Sequence, residues 1–419
     1  MTVKASDHYL YRCFSCRREY PPALFEAEYR YLCPSCGTAE NNRPLTGVMQ
    51  VVYDYDHLKK KIPRKKFLQL PPGRPWLYPE LWPVRDIQKV LPAGRLETLA
   101  LPDNLLFEIS SQNQNIFFLD DTRNPTFSYK DRASILVALK AVELGITDIS
   151  VASTGNAGSS LAGICARLGL NAHVWVPEKI PAQKRLQIQG YGAALQVVKG
   201  SYDQAFDVNR RIAVQQNWYD RNTAYNPLTI EGKKSAAYDI FIATAGDIPG
   251  YIFVPVGDGA IIAGIYKGFT ELMNLGWIDF LPKLIGVQST GSDALVRFMA
   301  TGKFKFREAE TIADSICAGA PRNLYMAAEA IRESHGHAVS ITDADILVAQ
   351  EYLSKKHGML AEPSAAITWA ACKSMVKIQK DRCLLMFTGS GLKDMASVRQ
   401  WCPEVEARSA EEWMDFYHI

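Results

Sequence analysis

The chain has 419 residues, of which 47% are apolar and 22% charged, and its formal net charge is +3. This length and composition predict a folded protein of two or three domains, and a charge so near balance disfavours nucleic acid or an acidic membrane surface as the main partner. Residues 1–12 are polar, unlike a signal peptide, and no apolar run reaches the ~18 residues of a membrane span. A cytoplasmic protein without a membrane partner is therefore expected.

Four of the nine cysteines form two CxxC pairs, Cys13 with Cys16 and Cys33 with Cys36. This spacing is typical of zinc ribbons, in which four thiolates hold Zn²⁺ and stabilise a small hairpin. Residues 1–48 are therefore predicted to form a structural zinc ribbon, with metal-free packing of the cysteines as the alternative. The remaining cysteines stand singly and are predicted to be reduced packing residues: Cys165, Cys317, Cys372, Cys383 and Cys402.

The next stretch predicts a strand at residues 50–55 and then a linker. Residues 57–66 are basic, and residues 70–83 are rich in proline. Proline disfavours regular helices and strands, so this part of the chain is expected to wrap the surface of a domain.

A nine-residue motif, Asn124 to Arg132 (NPTFSYKDR), lies between an apolar run at residues 116–119 and a helical pattern. Ile135, Leu136, Leu139 and Val142 recur at helical spacing, which places Lys130 at a helix start. The helix dipole there disfavours the protonated amine, so Lys130 is a candidate nucleophile able to form a Schiff base. A solvated lysine in a capped first turn is the alternative.

Strands and helices alternate from residue 148 onward. Strands are predicted at residues 149–153, 172–176 and 194–198, with helices at 159–168 and 182–189 between them, which indicates a parallel sheet covered by helices. The first crossover contains the sequence STGNAG at residues 153–158. Its backbone N–H groups could bind an anion such as a carboxylate, or its glycines could only make a tight turn.

A second alternating block begins with a strand at residues 251–256, followed by the GDGA loop at 257–260 and a helix to about residue 274. A glycine turn before a helix can bind phosphate through backbone N–H groups, although neither the dinucleotide fingerprint nor a P-loop is present. Further elements are expected at residues 283–288, 323–333, 384–387 and 396–419, the last as a packed helix. The predicted fold class is α/β, with two doubly wound, mostly parallel sheet domains that face a cleft.

Four loops occur in one order: the lysine motif, the STGN loop, the GDG loop and Thr388-Gly389-Ser390-Gly391. They resemble the loops of the threonine synthase family of fold type II pyridoxal-phosphate-dependent enzymes, which share a tryptophan synthase β-like fold. The likeness includes the N-terminal ribbon of archaeal-type members. It also covers residues 230–234 (IEGKK), 362–366 (EPSAA) and 391–394 (GLKD).

The resemblance implies a carbon–oxygen lyase that uses pyridoxal 5'-phosphate to convert O-phosphohomoserine and water to threonine and phosphate. It implies a large cofactor-binding domain at residues 49–132 and 225–419, a small α/β domain at 133–224, and a homodimer. By the same resemblance, Lys130 would bind the cofactor and move protons, Asn156 would meet its phenolic oxygen, and Thr388 its pyridine nitrogen. The residues expected to hold the two anionic groups are Gly257, Asp258, Gly259, Ala260 and Ile261 for the cofactor phosphate, and Ser153, Thr154 and Asn156 for the substrate α-carboxylate.

Two substrate-side positions depart from the family pattern. Phe127 replaces the usual glycine, and Thr229 replaces the arginine that grips the substrate phosphate. A threonine hydroxyl cannot replace a bidentate cation, so a related lyase or β-replacement synthase acting on O-phosphoserine, serine or threonine is the alternative function. The basic residues that could supply the missing charge are Lys184, Arg185, Lys233, Lys234 and Arg322.

Overall fold

The computed structural model describes residues 8–85, 87–102, 106–111, 114–375 and 381–418. Most of the polar N-terminal segment, residues 1–7, and the end of the proposed C-terminal helix, residue 419, lie outside these ranges. The strands in the described chain are β1 Tyr9–Cys13, β2 Glu19–Tyr20, β3 Met49–Tyr53, β4 Leu106–Ser111, β5 Gln114–Asp120, β6 Asp148–Ala152, β7 Asn171–Pro177, β8 Ala194–Val198, β9 Tyr219–Asp220, β10 Tyr251–Pro255, β11 Lys283–Ser289, β12 His337–Ile341 and β13 Cys383–Phe387.

Helices account for most of the remaining regular structure. They are α1 Pro22–Glu26, α2 Tyr55–Lys61, α3 Arg64–Phe67, α4 Ile87–Val90, α5 Ala93–Glu97, α6 Asp131–Glu143, α7 Asn156–Leu168, α8 Ala182–Gly190, α9 Tyr202–Gln216, α10 Leu228–Lys233, α11 Ser235–Ala243, α12 Ala260–Asn274, α13 Ala294–Thr301, α14 Leu324–Glu333, α15 Asp343–His357, α16 Pro363–Ser374, α17 Met395–Val398 and α18 Ala410–Tyr417. Across the described ranges, every helix is too short or too polar to cross a membrane.

The larger sheet has the strand order β12-β11-β10-β13-β5-β4. Its neighbouring strands are parallel except for β4, which pairs antiparallel with β5. The central strands β10 and β13 are almost wholly buried, as expected for parallel strands covered on both faces.

The smaller sheet has the order β8-β7-β6-β9, and its strands are all parallel. Helices α7, α8 and α9 connect successive strands and pack against this sheet. The predicted α/β class with two mostly parallel sheets is therefore confirmed, whereas the domain boundaries near residues 132 and 225 stay a prediction.

A third, antiparallel sheet, β2-β1-β3, belongs to the N-terminal region. It docks on the main body through buried contacts: the Asp220 N–H donates to the Tyr31 hydroxyl, and the Leu45 N–H donates to the Arg322 carbonyl. Its inward residues Tyr9, Tyr11 and Met49 are at most 3% exposed. The N-terminal region is thus attached to the rest of the fold through a shared core.

Three expectations need correction. The proline-rich stretch is more than a surface linker, because it forms short helices and buries Trp76, Leu81 and Trp82 at 6% exposure or less. The C-terminal segment is not one packed helix, because Pro403 lies in an irregular stretch between α17 and α18, and none of the α18 residues is buried. Cys165, Cys372 and Cys383 are buried, as predicted for packing residues, whereas Cys402 is exposed and does not pack in the core.

Candidate active site

A cavity that is open to solvent lies where the carboxyl ends of β6 and β10 face each other. Ligands of open α/β sheets bind at this edge, because the loops after parallel strands meet there. The residues that line the cavity include Lys130, Ser153, Thr154, Asn156, Tyr202, Thr223, Lys233, Gly257, Asp258, Gly259, Ala260, Ile261 and Ser315. The structure thus brings together the predicted lysine, most of the predicted carboxylate loop and the predicted phosphate loop.

Lys130 immediately precedes α6, as the helical pattern predicts. Burial in the cleft lowers the pKa of its amine to about 8, because the charged form loses hydration. This pKa already includes the lowering by the cations Arg221 and Lys184 and the opposing effect of the Glu362 carboxylate. A neutral, nucleophilic amine is therefore accessible near neutral pH.

The STGN loop follows β6 and leads directly into α7, which begins at Asn156 rather than at residue 159 as predicted. The Ser153 hydroxyl accepts hydrogen bonds from the N–H groups of Gly155 and Gly158, both at 2.9 Å. Gly155 has a φ of 128°, which a residue with a side chain rarely adopts. Ser153 thus holds the loop in shape and is itself only 2% exposed.

Asn156 links the two sides of the cavity. Its Nδ2 donates to both carboxylate oxygens of Glu362, at 2.8 and 2.9 Å, and to the Ser315 hydroxyl at 2.9 Å. Its Oδ1 is buried without a hydrogen-bond partner among the described residues. A buried acceptor of this kind is expected to meet a donor from a bound ligand or water.

The sequence pattern assigns no chemical role to Glu362, which is noted only as the first residue of the EPSAA motif. Glu362 is fully buried at the start of α16, and Lys184 lies 3.5 Å from it. The Lys184 amine also donates to the Asp314 carboxylate at 2.7 and 2.8 Å, and these acids raise the pKa of Lys184 although burial lowers it. The sequence signal for Glu362 is the Glu-Pro pair at a helix N-terminus, which suggests a cap and no catalytic role.

The GDG loop makes a tight cradle before α12. Gly259 has a φ of 86°, and a Cβ there would lie 2.9 Å from the Asn323 carbonyl. A Cβ at Gly257 would lie 2.8 Å from the Ile316 Cα. The first-turn N–H groups of α12 lack intrahelical acceptors, so the loop is suited to an anion.

Asp258 ties this loop to neighbouring elements. Its carboxylate accepts from the Tyr202 hydroxyl at 2.8 Å and from the Arg322 N–H at 3.1 Å. Tyr202 was not singled out by the sequence, because an isolated tyrosine in a helix has no distinguishing pattern. Its contact with Asp258 nevertheless makes it part of the cavity wall.

Thr388 follows β13 and is 3% exposed. Its carbonyl accepts a 2.9 Å hydrogen bond from the Tyr129 N–H, and Ser128 pairs with Gly389. The TGSG loop and the lysine motif are therefore joined, although Thr388 is not among the residues that line the cavity.

Phe127 and Thr229 lie outside the cavity lining. Phe127 is 45% exposed and has a φ of 66°. Thr229 is fully buried, with a hydroxyl that donates to the Asn226 carbonyl and accepts from the Ala224 N–H. Neither of these residues, for which a substrate role was predicted, lines the cavity, and the Thr229 hydroxyl is already bonded to the backbone.

The cavity residues fit pyridoxal phosphate on their own chemistry. Gly257 and Gly259 let the loop pack against Ile316 and Asn323, where a Cβ would clash, and Lys130 provides an amine for a covalent link. Two buried polar atoms beside the cavity, Asn156 Oδ1 and Lys233 Nζ, are without partners in the described chain. A charged, aromatic aldehyde with hydrogen-bonding substituents suits this set of donors and acceptors.

The four ribbon cysteines form a separate cluster. The Sγ atoms of Cys13 and Cys36 are 3.4 Å apart, those of Cys16 and Cys33 are 3.7 Å apart, and all four lie within 4.8 Å of one another. Tetrahedral Zn²⁺ with four thiolates at ~2.3 Å requires S···S distances of about 3.8 Å. The cluster is therefore close to the geometry of a zinc site.

Comparison with known families gives the class of protein. Residues 104–389 match the family model described as pyridoxal-phosphate dependent enzyme. This match covers more than half of the chain and includes Lys130, the STGN loop, the GDG loop and Thr388. The chain therefore belongs to the family of pyridoxal-phosphate dependent enzymes.

Curated relatives within this family carry a more specific name. The threonine synthase of Methanocaldococcus jannaschii is 34% identical over 412 residues, covering 96% of this chain and 95% of the relative. The threonine synthase of Methanosarcina acetivorans is 32% identical over 404 residues, covering 94% and 95%. The predicted threonine synthase resemblance, including archaeal members, is confirmed.

Solved structures support the fold alone. Maize serine racemase has a TM-score of 0.63 at 17% identity, covering 80% of this chain and 99% of that chain. Diaminopropionate ammonia lyase from Escherichia coli has a TM-score of 0.61 at 15% identity, covering 76% and 91%. The predicted fold type II architecture is thus confirmed.

Proposed function

We propose that this protein is a pyridoxal-phosphate-dependent lyase that converts O-phosphohomoserine and water to threonine and phosphate. The observation that carries the proposal is one cavity that holds Lys130, the carboxylate loop after β6 and the phosphate cradle after β10. The near-full-length similarity to two threonine synthases supports the choice of reaction within the family.

Lys130 is the proposed catalytic residue. When bound, pyridoxal phosphate supplies an electron sink that stabilises negative charge at the substrate α-carbon. The Lys130 amine would hold the cofactor and would take and return protons at the α- and β-carbons of the substrate. A pKa of about 8 suits this role, because both protonation states are populated near neutral pH.

The remaining cavity residues orient the reactants. Gly257 to Ile261 bind the cofactor phosphate through backbone N–H groups, and Asn156 and Thr388 hold the ring. Ser153, Thr154 and Asn156 bind the substrate α-carboxylate beside the N-terminus of α7. The support for these roles is their position around or beside the cavity, together with the motif resemblance.

The second candidate is a related lyase or β-replacement synthase on O-phosphoserine, serine or threonine. The observation that favours it is that residue 229 is threonine where the resemblance predicts arginine. The Thr229 side chain is short, and its hydroxyl is already bonded to the backbone. A phosphorylated substrate therefore needs a different cation in this chain.

A substrate panel separates the two candidates. Purified protein is supplied with pyridoxal phosphate and then with O-phosphohomoserine, O-phosphoserine, serine or threonine, while phosphate, threonine and 2-oxoacid products are measured. Threonine and phosphate in equal amounts from O-phosphohomoserine support the first proposal. Turnover of another substrate without turnover of O-phosphohomoserine rejects it in favour of the second.

We also propose structural Zn²⁺ at the cluster of Cys13, Cys16, Cys33 and Cys36, supported by its tetrahedral spacing. The domain boundaries and the homodimer remain proposals that rest on sequence resemblance, and the cytoplasmic location remains a proposal that rests on the sequence composition. Light scattering of the purified protein tests the dimer: a mass near twice 46.7 kDa supports it, and a mass near 46.7 kDa rejects it.

A further inference from the structure

The five basic residues named above as candidates for the missing phosphate cation differ in whether they already have a hydrogen-bond or ion-pair partner. Lys184 donates to Asp314, and Lys234 pairs with Glu231 and Glu271. Arg322 pairs with Asp203, and Arg185 donates to the Glu178 carbonyl. Four of the five candidates for the missing phosphate cation are therefore engaged elsewhere.

Lys233 is the exception. It is fully buried, its side chain lines the cavity that contains Lys130, and its Nζ has no hydrogen-bond partner among the described residues. A buried amine without a hydrogen-bond partner raises the free energy of the folded protein. Its presence in a cavity therefore indicates a ligand that accepts a hydrogen bond from it.

The backbone around Lys233 fixes its position. Its carbonyl accepts from the Tyr129 hydroxyl at 2.7 Å, so it is tied to the residue before Lys130. Its Cβ lies 2.7 Å from where a Cβ of Gly264 would be, so it packs closely on the second turn of α12, the helix that follows the GDG loop. The amine thus belongs to the same wall as the phosphate cradle.

Lys233 also lies four residues after Thr229 on α10. Residues four apart share one face of a helix, one turn from each other. Lys233 therefore places a cation on the same face of α10 as Thr229, one turn away.

We propose that the Lys233 ammonium binds a phosphate monoester dianion in the cavity beside Lys130. The dianion is the phosphate of either the cofactor or the substrate, and both present the same group to Lys233. That these two are the available ligands rests on the proposed function.

The surrounding charges favour a dianion. The charged groups facing Lys233 are Arg221, Lys130 and Asp258, so the cations outnumber the carboxylate. Burial, Arg221 and Lys130 together hold the pKa of Lys233 well below its usual value in the ligand-free protein. An arriving dianion raises this pKa, so binding near neutral pH takes up a proton.

Calorimetry of the cofactor-free protein with sulfate tests this directly, because sulfate is a dianion that does not titrate near pH 7. Titrations in two buffers of different ionisation enthalpy give the number of protons taken up. We expect wild type to bind sulfate with proton uptake, and Lys233→Met to lose at least about tenfold in affinity together with the uptake. Lys233→Arg should keep binding without uptake, because arginine stays charged.

The methionine variant is expected to fold, because it replaces an unpaired buried amine with an apolar side chain of similar length. Circular dichroism checks this, and the arginine variant provides a second test. Arg185→Met is the matched control, since Arg185 lies outside the cavity lining and should leave sulfate binding unchanged. Sulfate binding by Lys233→Met equal to wild type, with equal proton uptake, overturns the proposal.

Further titrations identify which phosphate is bound. If it is the cofactor's, Lys233→Met weakens binding of pyridoxal phosphate about tenfold but leaves binding of pyridoxal, which lacks the phosphate, unchanged. If it is the substrate's, cofactor affinity is unchanged and KM for the phosphorylated substrate rises about tenfold. If none of these constants changes, the proposal is rejected. The sulfate titration requires no turnover, so a failure of the proposed reaction can be distinguished from a failure of this proposal.

Discussion

Glu362 accepts two hydrogen bonds from the side-chain amide of Asn156, at 2.8 and 2.9 Å, although the residues are 206 positions apart. The contact joins the start of α7 on the smaller sheet to the start of α16 on the larger one. It also places a negative charge where it raises the pKa of Lys130 against the effect of burial.

Replacing Glu362 with glutamine should therefore lower the pKa of Lys130 below about 8. The neutral amine is the reactive form, and its fraction increases as pH rises through the pKa. The rate at which cofactor-free protein is reconstituted with pyridoxal phosphate should thus reach half its plateau near pH 8 in wild type and at lower pH in Glu362→Gln. The partly exposed control Glu351→Gln should behave as wild type; an unshifted midpoint in Glu362→Gln contradicts the assignment.

Phe127 has a φ of 66° with a half-exposed side chain, a conformation that glycine adopts without cost. Phe127→Gly should raise the free energy of unfolding by about 1 kcal/mol, as measured by chemical denaturation. The matched control is Phe280→Gly, which removes a similarly exposed phenylalanine at a residue without positive φ and should give no such gain. Substrate preference should stay the same, since Phe127 does not line the cavity; a changed preference would assign it a substrate role.

Arg132 carries two buried ion pairs. Its Nε and Nη2 donate to Asp121 at 2.6 and 2.9 Å, and its Nη1 donates to Asp239 at 2.5 Å. Arg132→Met leaves two buried carboxylates without their cation and should reduce the free energy of unfolding by about 3–5 kcal/mol. Arg297→Met, which breaks a partly exposed pair with Asp293, should cost less than about 1 kcal/mol. Equal losses in both variants would contradict this prediction.

Zinc is expected at the ribbon in a ratio of one ion per chain. Cys16→Ser should lose the metal, because serine does not provide a thiolate ligand, and the variant should melt at lower temperature. Elemental analysis and thermal unfolding measure the two effects. Cys402→Ser, at an exposed lone cysteine, should retain both metal content and melting temperature. Wild type without metal after purification in zinc-containing medium would contradict the zinc assignment.

Local patterns predicted much of this fold. The strand–loop–helix units around residues 153–158 and 257–260 were identifiable because hydrophobic runs, glycines and helix starts follow one another within about 20 residues. The position of Lys130 before α6 followed from the same kind of pattern. Such signals depend on neighbours in sequence, and they therefore located the main loops of the cavity.

Long-range pairing was not accessible in this way. Nothing near Glu362 in sequence indicates that it faces Asn156, and the importance of Lys233 emerges only when the partners of Lys184, Lys234 and Arg322 are known. The role of Thr229 could not be predicted for the same reason. Its hydroxyl bonds to the backbone of Ala224 and Asn226, and these hydrogen bonds form only when the turn folds.

The central claim is that Lys130 is the lysine that bears the cofactor. Lys130 and Lys233 line the same cavity and are both at least partly buried. The claim is therefore tested by identifying which of the two lysines is modified. The protein loaded with pyridoxal phosphate is reduced with borohydride, digested and analysed by mass spectrometry. We predict a pyridoxyl-phosphate adduct on Lys130 that is absent from Lys130→Ala. An adduct on Lys233, or none on either lysine, would contradict the account.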